Sequence, residues 1–108
     1  MPRELSARDL AERLQAGRPL LLVDVREDWE RGIAKLPGDL HVPLHSLVAR
    51  AVELATPAGG EVVIYCHAGV RSWTAAQYLE HVGLKDVCSL AGGIDAWSVD
   101  VDPSVARY

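Results

Sequence analysis

Val62-Val63-Ile64-Tyr65-Cys66-His67-Ala68-Gly69-Val70-Arg71-Ser72 passes from an apolar run through a short loop into a segment patterned as a helix. Val62 to Tyr65, preceded by Gly59-Gly60, predicts a strand buried on both faces. Ser72 to His81 predicts a helix stopped by Gly83. At such a junction the loop N–H groups and the unsatisfied N–H groups of the helix's first turn converge, and both favour negative charge. A thiolate is the charge that Cys66 can offer, and the thiolate is the nucleophilic form of a cysteine. Gly69 suits the tight turn, and Arg71 adds positive charge at the helix start. The bland alternative is a buried, inert cysteine.

The same alternation extends on both sides. Ser6-Ala7-Arg8-Asp9 reads as a helix start, with Ala7, Leu10, Ala11 and Leu14 forming an apolar face that ends at Gly17. Leu20 to Val25 predicts a second buried strand, Val42 a short one ended by Pro43, Leu44 to Ala55 a helix, and Val87 to Leu90 a strand before Gly92-Gly93. Strands alternating with helices predict an α/β fold, a parallel sheet covered by helices on both faces. Ligands of such sheets bind beyond the carboxyl ends of the strands. Asp24, Cys66 and Gly92-Gly93 fall at or just after strand ends and are therefore expected on one rim.

Composition narrows the function classes. A chain of 108 residues with 49% hydrophobic residues is the size of one globular domain. A formal net charge of -4 and no Lys/Arg block argue against nucleic acid or an anionic membrane as partner. The apolar runs are too short to span a bilayer, and Met1-Pro2-Arg3-Glu4-Leu5 lacks a signal-peptide core, so a cytoplasmic protein is expected. In that compartment a disulfide between Cys66 and Cys88 is disfavoured. His41, His45 and His81 have no metal-ligand spacing and are read as incidental, with no metal or organic cofactor expected.

The spacing from Cys66 to Arg71 leaves four residues between them. Cysteine-dependent phosphatases use a loop one residue longer, wide enough for a tetrahedral phosphate. The shorter loop suits a single extra sulfur on Cys66 with N–H groups aimed at it.

Four ordered segments resemble the rhodanese family of sulfurtransferases in its single-domain form. Leu22-Val23-Asp24-Val25-Arg26-Glu27 is similar to its first long strand with the Asp-Val-Arg ending. Leu36-Pro37-Gly38-Asp39-Leu40-His41-Val42-Pro43-Leu44 is similar to its Pro-Gly-Ala-x-x-x-Pro segment, with Asp39 in place of Ala. The Cys66 loop follows, and Leu90-Ala91-Gly92-Gly93-Ile94-Asp95-Ala96-Trp97 resembles the Gly-Gly-x-x-x-Trp ending. The tail, Val101-Asp102-Pro103-Ser104-Val105-Ala106-Arg107-Tyr108, resembles rhodanese domains fused to E1-like activating enzymes of sulfur-carrier pathways.

The resemblance implies a rhodanese-like fold and a Cys66 persulfide as intermediate. The sulfur would come from a small-molecule donor such as thiosulfate, or from a persulfide or polysulfide. The acceptor would be cyanide, a thiol or a sulfur-carrier protein. His67, Ala68, Gly69, Val70, Arg71 and Ser72 would form the substrate loop around Cys66, and a monomer is expected. A phosphatase or arsenate reductase of the same fold and a non-catalytic binding module are the alternatives.

Individual residues carry open choices. Arg71 either orients an anionic donor or pairs with an acidic side chain. Ser72 either offers its hydroxyl to the sulfur or caps the helix. Asp24 and Arg26 are read as a supporting ion pair, His67 as a specificity or solvent-facing residue rather than a base, and Cys88 as a core residue. Trp29, Trp73 and Trp97 are read as packing residues, the first two near enough to rim elements to wall a pocket. Thiosulfate-active rhodaneses often carry Arg or Lys just after the cysteine, where this chain has His67 and Ala68. The loop therefore has less fixed charge to hold a dianion.

Overall fold

The computed structural model describes residues 2–108; Met1, part of the opening stretch read for a leader, lies outside them. The apolar runs form the centre of a five-stranded sheet. Its strands are β1 (Arg3–Leu5), β2 (Leu20–Asp24), β3 (Leu40–His41), β4 (Glu61–Tyr65) and β5 (Val87–Leu90), and the helices are α1 (Ala7–Gln15), α2 (Asp28–Ile33), α3 (Leu47–Arg50), α4 (Val70–His81) and α5 (Gly93–Asp100). The spatial order is β1-β5-β4-β2-β3, and every pairing is parallel. The edge strands β1 and β3 are short, which limits the unpaired backbone the sheet exposes.

Side-chain alternation along β2 and β4 divides the core between the two faces. Val23, Val62, Ile64 and Cys66 pack with Leu47 of α3 and with Ala75, Ala76 and Leu79 of α4. Leu22, Val63 and Tyr65 pack on the opposite face with Ala7 and Leu10 of α1 and with Ile94 and Trp97 of α5. From β2 the chain proceeds to β3 on one side, and from β4 to β5 on the other. The connections thus diverge between β2 and β4, the point at which open α/β sheets form a binding crevice. Register pairs Asp24 with Tyr65 there, so Cys66 emerges beside the Asp24–Arg26 turn.

The predicted elements appear with changes of extent: β2 stops at Asp24 rather than Val25, and β4 starts at Glu61 rather than Val62. The 44–55 segment is not one helix: 3₁₀ turns at Leu44–Ser46 and Ala51–Glu53 flank the single turn of α3. Its inward residues, Leu44, Leu47, Ala51 and Leu54, sit three apart within each 3₁₀ turn, the spacing that eclipses side chains in that geometry. Val48 and Val52 face outward, so a continuous helix would bury little more. The third strand is Leu40–His41 rather than Val42, although Val42 N–H still bonds Asp24 O at 2.9 Å. Helix α4 begins at Val70 rather than Ser72. Strand β1 and helices α2 and α5 lie outside the predicted elements. No helix among the described residues is long and apolar enough to cross a membrane.

Helix α5 positions the Cys66 loop. Ile94 N–H bonds Cys66 O at 2.9 Å and Asp95 N–H bonds His67 O at 3.1 Å, so the first turn of α5 holds the loop by its carbonyls. Gly93 has φ +60°, and a Cβ there would lie 2.4 Å from Cys66 O and 2.5 Å from His67 O. Backbone conformation and close approach therefore both exclude a side chain. Gly93→Ala is expected to cost about 2–4 kcal/mol in urea denaturation, against about 1 kcal/mol for Gly17→Ala, which shares a positive φ but faces open space.

Candidate active site

Cys66 follows β4 and is only 1% exposed. Its Sγ accepts N–H bonds from Gly69 at 3.1 Å and Ser72 at 3.3 Å, and the Ser72 hydroxyl lies 3.4 Å away. Ser72 Oγ is in turn 2.8 Å from Ser89 Oγ, on β5. Gly69, with φ +103°, occupies the N-cap of α4 and supplies no side-chain cap. The Ser72 N–H is consequently one of the helix's unsatisfied donors, and the Cys66 sulfur takes the place of the missing cap. Ser72 is inside the first turn and is not the N-cap; its Oγ accepts from the Cys66 thiol at 3.4 Å.

Arg71 forms a bidentate pair with Glu30, at 2.6 Å to Oε1 and 2.8 Å to Oε2. The open choice for Arg71 is thus occupied by an acidic partner. The hydrogen bond to Glu30 holds the guanidinium charge firmly; burial opposes it, and Coulomb attraction from Glu30 and then Cys66 adds to it. Glu30 lies on α2, also accepts from Glu27 N–H at 3.0 Å, and receives the Tyr108 hydroxyl at 2.6 Å. Burial pushes its carboxyl up, but the bonds from Arg71 and Tyr108 outweigh this and bring it down to about 2. Burial and the bond to Glu30 push the Tyr108 phenol up to about 12, against an opposing bond from Arg26. The Tyr108 ring stacks on His67, with centroids 4.0 Å apart and an interplanar angle of 11°, and meets Trp29 edge-on at 6.1 Å.

Arg26 Nε and Nη2 each donate to an Asp24 carboxylate oxygen at 2.9 Å, Nη2 also reaches Ala34 O at 2.7 Å, and Nη1 donates to the Tyr108 hydroxyl at 2.9 Å. Arg31 bonds Asp24 Oδ2 at 2.8 Å and Asp39 Oδ2 at 2.6 Å. Tyr65 donates to Asp39 at 2.5 Å and accepts Leu36 N–H at 3.1 Å.

The rhodanese-like domain profile matches residues 6–100. The chain belongs to the rhodanese-like family. It is 38% identical over 106 residues to a sulfurtransferase of Allochromatium vinosum, covering 98% of this chain and 97% of that protein. It is 35% identical over 105 residues to the probable adenylyltransferase/sulfurtransferase MoeZ of Mycobacterium tuberculosis, covering 96% of this chain but 26% of that protein. The crystal structure of a rhodanese-related protein from Thermoplasma volcanium superposes with a TM-score of 0.83 at 25% identity, covering 98% of this chain and 99% of the other. The relatives named as sulfurtransferases support sulfur transfer as the general activity.

On this rhodanese-like scaffold the residues singled out in the sequence occupy one rim. Asp24 and Arg26 form a fully buried ion pair. Ala68 and Val70 are exposed on the loop crest, and His67, Gly69 and Arg71 are half-buried. His67 is not simply solvent-facing, since one face of its ring is covered by Tyr108. Trp29 is exposed and Trp97 belongs to the core. Cys88 is buried on the face opposite Cys66 with its thiol pushed up by burial, and both cysteines are free. His41 is not incidental, because its Nε2 lies 2.7 Å from Arg26 O and buttresses that turn.

Sequence reading missed Glu30, Arg31, Tyr65, Ser89 and Tyr108 as site residues. Glu27 and Glu30 have the spacing of a helix-start pair, a signal for α2. Nothing local in the sequence joins Glu30 to Arg71 or Tyr108 to His67, contacts that span 41 residues in one case and 41 in the other. Asp39 was visible only as a departure from the family pattern, and its bonds to Arg31 and Tyr65 give the reason for the carboxylate.

Acid should loosen this rim. Glu30 titrates at about 2 when folded, against an ordinary 4.5, and Asp39, pushed up by burial but held down by Arg31, is also below its ordinary value. Depressed carboxylates stabilise the fold fully above their ordinary pKa and lose that contribution as pH falls through the folded value. Tryptophan fluorescence should therefore report declining stability between pH 4.5 and about 2, with a shallower decline in Glu30→Gln.

Proposed function

We propose that this protein is a sulfurtransferase that carries sulfane sulfur as a persulfide on Cys66. The observation that carries the reading is the convergence of the Gly69 and Ser72 N–H groups on a buried cysteine sulfur at the end of the central strand. In the first step the Cys66 thiolate attacks the outer sulfur of the donor. A new S–S bond forms, the donor's S–S bond breaks, and its electron pair leaves on sulfite or on a thiolate. In the second step a nucleophilic acceptor attacks the outer sulfur and the electron pair returns to Cys66.

The loop donors stabilise the charged sulfur in both steps as fixed dipoles, with no reorganisation at the moment of transfer. Ser72 can follow the charge, because its hydroxyl lies between Cys66 and Ser89 and can turn toward either. The four-residue spacing from Cys66 to Arg71, and the commitment of Arg71 to Glu30, both favour a single bound sulfur over a phosphate ester. Relatives joined to adenylyltransferase domains support a sulfur-carrier or thiol protein as the acceptor.

Intact-mass measurement tests the assignment. Excess thiosulfate should add ~32 Da, removable by cyanide or dithiothreitol, as expected for one stored sulfur. Cys66→Ser should abolish the adduct and Cys88→Ser should keep it; an adduct that persists in Cys66→Ser contradicts the reading.

A further inference from the structure

The cations around the Cys66 loop are occupied by carboxylates. Arg71 is taken by Glu30, Arg26 by Asp24, and Arg31 by Asp24 and Asp39. Arg107 pairs with Asp95 at 2.8 Å, and Asp95 is the residue whose N–H holds His67 O. The hydrogen bond from Arg107 draws the Asp95 carboxyl below its ordinary range, and His67 contributes to the same effect. Neither His67 nor Ala68 brings a permanent charge. What remains to greet a donor is a set of N–H dipoles, enough for one charged sulfur and little for a second negative charge.

We propose that Glu30 and Asp95 are specificity-determining residues that turn this site away from dianionic donors and toward a persulfide presented on a thiol. The inference rests on the persulfide reading of Cys66. Thiosulfate brings two negative charges to a site where Glu30 and Asp95 already occupy Arg71 and Arg107, and it leaves as a dianion, sulfite. A persulfide R–S–S–H brings at most one. The Cys66 thiolate attacks its outer sulfur, the S–S bond between the two donor sulfurs breaks, and R–S⁻ leaves with the electron pair. The proton stays on the new Cys66 persulfide or passes to the leaving thiolate, and no oxidant or reductant is consumed. Tyr108 acts as a positioning residue here, since its hydroxyl fixes Glu30 against Arg71 while its ring holds His67.

The test is the rate at which Cys66 is loaded, by rapid quench and intact mass, against the concentration of thiosulfate and, separately, of cysteine persulfide. Glu30→Gln frees the Arg71 charge and should lower half-saturation by thiosulfate about tenfold, the usual worth of a hydrogen bond to a charged group. Its maximal loading rate should move less than its half-saturation, and the ratio of half-saturation by thiosulfate to that by persulfide should fall about tenfold. Asp95→Asn, on the partly exposed side of α5, should shift thiosulfate in the same direction by a smaller factor and keeps the test available if Glu30→Gln fails to fold. An unchanged preference between donors in Asp95→Asn and in a folded Glu30→Gln overturns the proposal, as does an equal loss with both donors, which marks a purely structural role. If neither donor loads the wild type, the Cys66 reading itself falls, and the inference with it.

Discussion

A guanidinium with no exposure to solvent organises the functional end of this protein. Arg26 Cζ lies 5.3 Å from the centroid of the Tyr65 ring and 5.8 Å from that of Tyr108, and its guanidinium pairs with both Asp24 oxygens. Burying that charge is costly, and an ion pair in such a place rarely adds net stability compared with apolar side chains of the same volume. Its effect is geometric. Arg26 joins the end of β2 to Ala34 and Tyr108, and Tyr108 passes the constraint to Glu30, then to Arg71 and α4. Segments far apart in the chain thereby meet in one arrangement around Cys66.

The loop itself needs two further supports. From below, the first turn of α5 takes the carbonyls of Cys66 and His67, while the Gly69 and Ser72 N–H groups turn to the sulfur. From within, the left-handed Gly69 lets α4 begin early enough for the Ser72 N–H to reach the sulfur. The N–H groups that donate to the sulfur are therefore backbone ones, while the Arg26, Arg71 and Arg107 side chains are each met by a carboxylate. This division is in keeping with the sulfur transfer proposed for Cys66, in which fixed dipoles hold one charged sulfur.

Much of this was legible in the sequence because the signals were local. The apolar runs at Leu20–Val25 and Val62–Tyr65 marked the central strands, and alternation marked the parallel sheet. The position of Cys66 between a buried strand and a helix marked the loop, and the Asp24–Arg26 pair lay two residues apart. What escaped was of two kinds. Short elements with little apolar patterning, such as β1 and α2, are stabilised by the sheet edge and by side-chain bonds at the rim, not by their own periodicity. Long-range pairs such as Glu30 with Arg71 and Tyr108 with His67 are set only once the strands have been ordered as β1-β5-β4-β2-β3. The two-residue error at the start of α4 had a specific cause: Ser72 resembles an N-cap, but Gly69 and the sulfur of Cys66 fulfil that role between them.

The central claim is that backbone dipoles, with Arg71 held away by Glu30, stabilise a single added sulfur. A crystal structure of the persulfidated protein tests it most directly. The account predicts one additional atom on Cys66 Sγ within hydrogen-bond reach of loop N–H groups, with the Arg71–Glu30 pair unbroken. An Arg71 side chain released from Glu30 and bonded to the outer sulfur would contradict it.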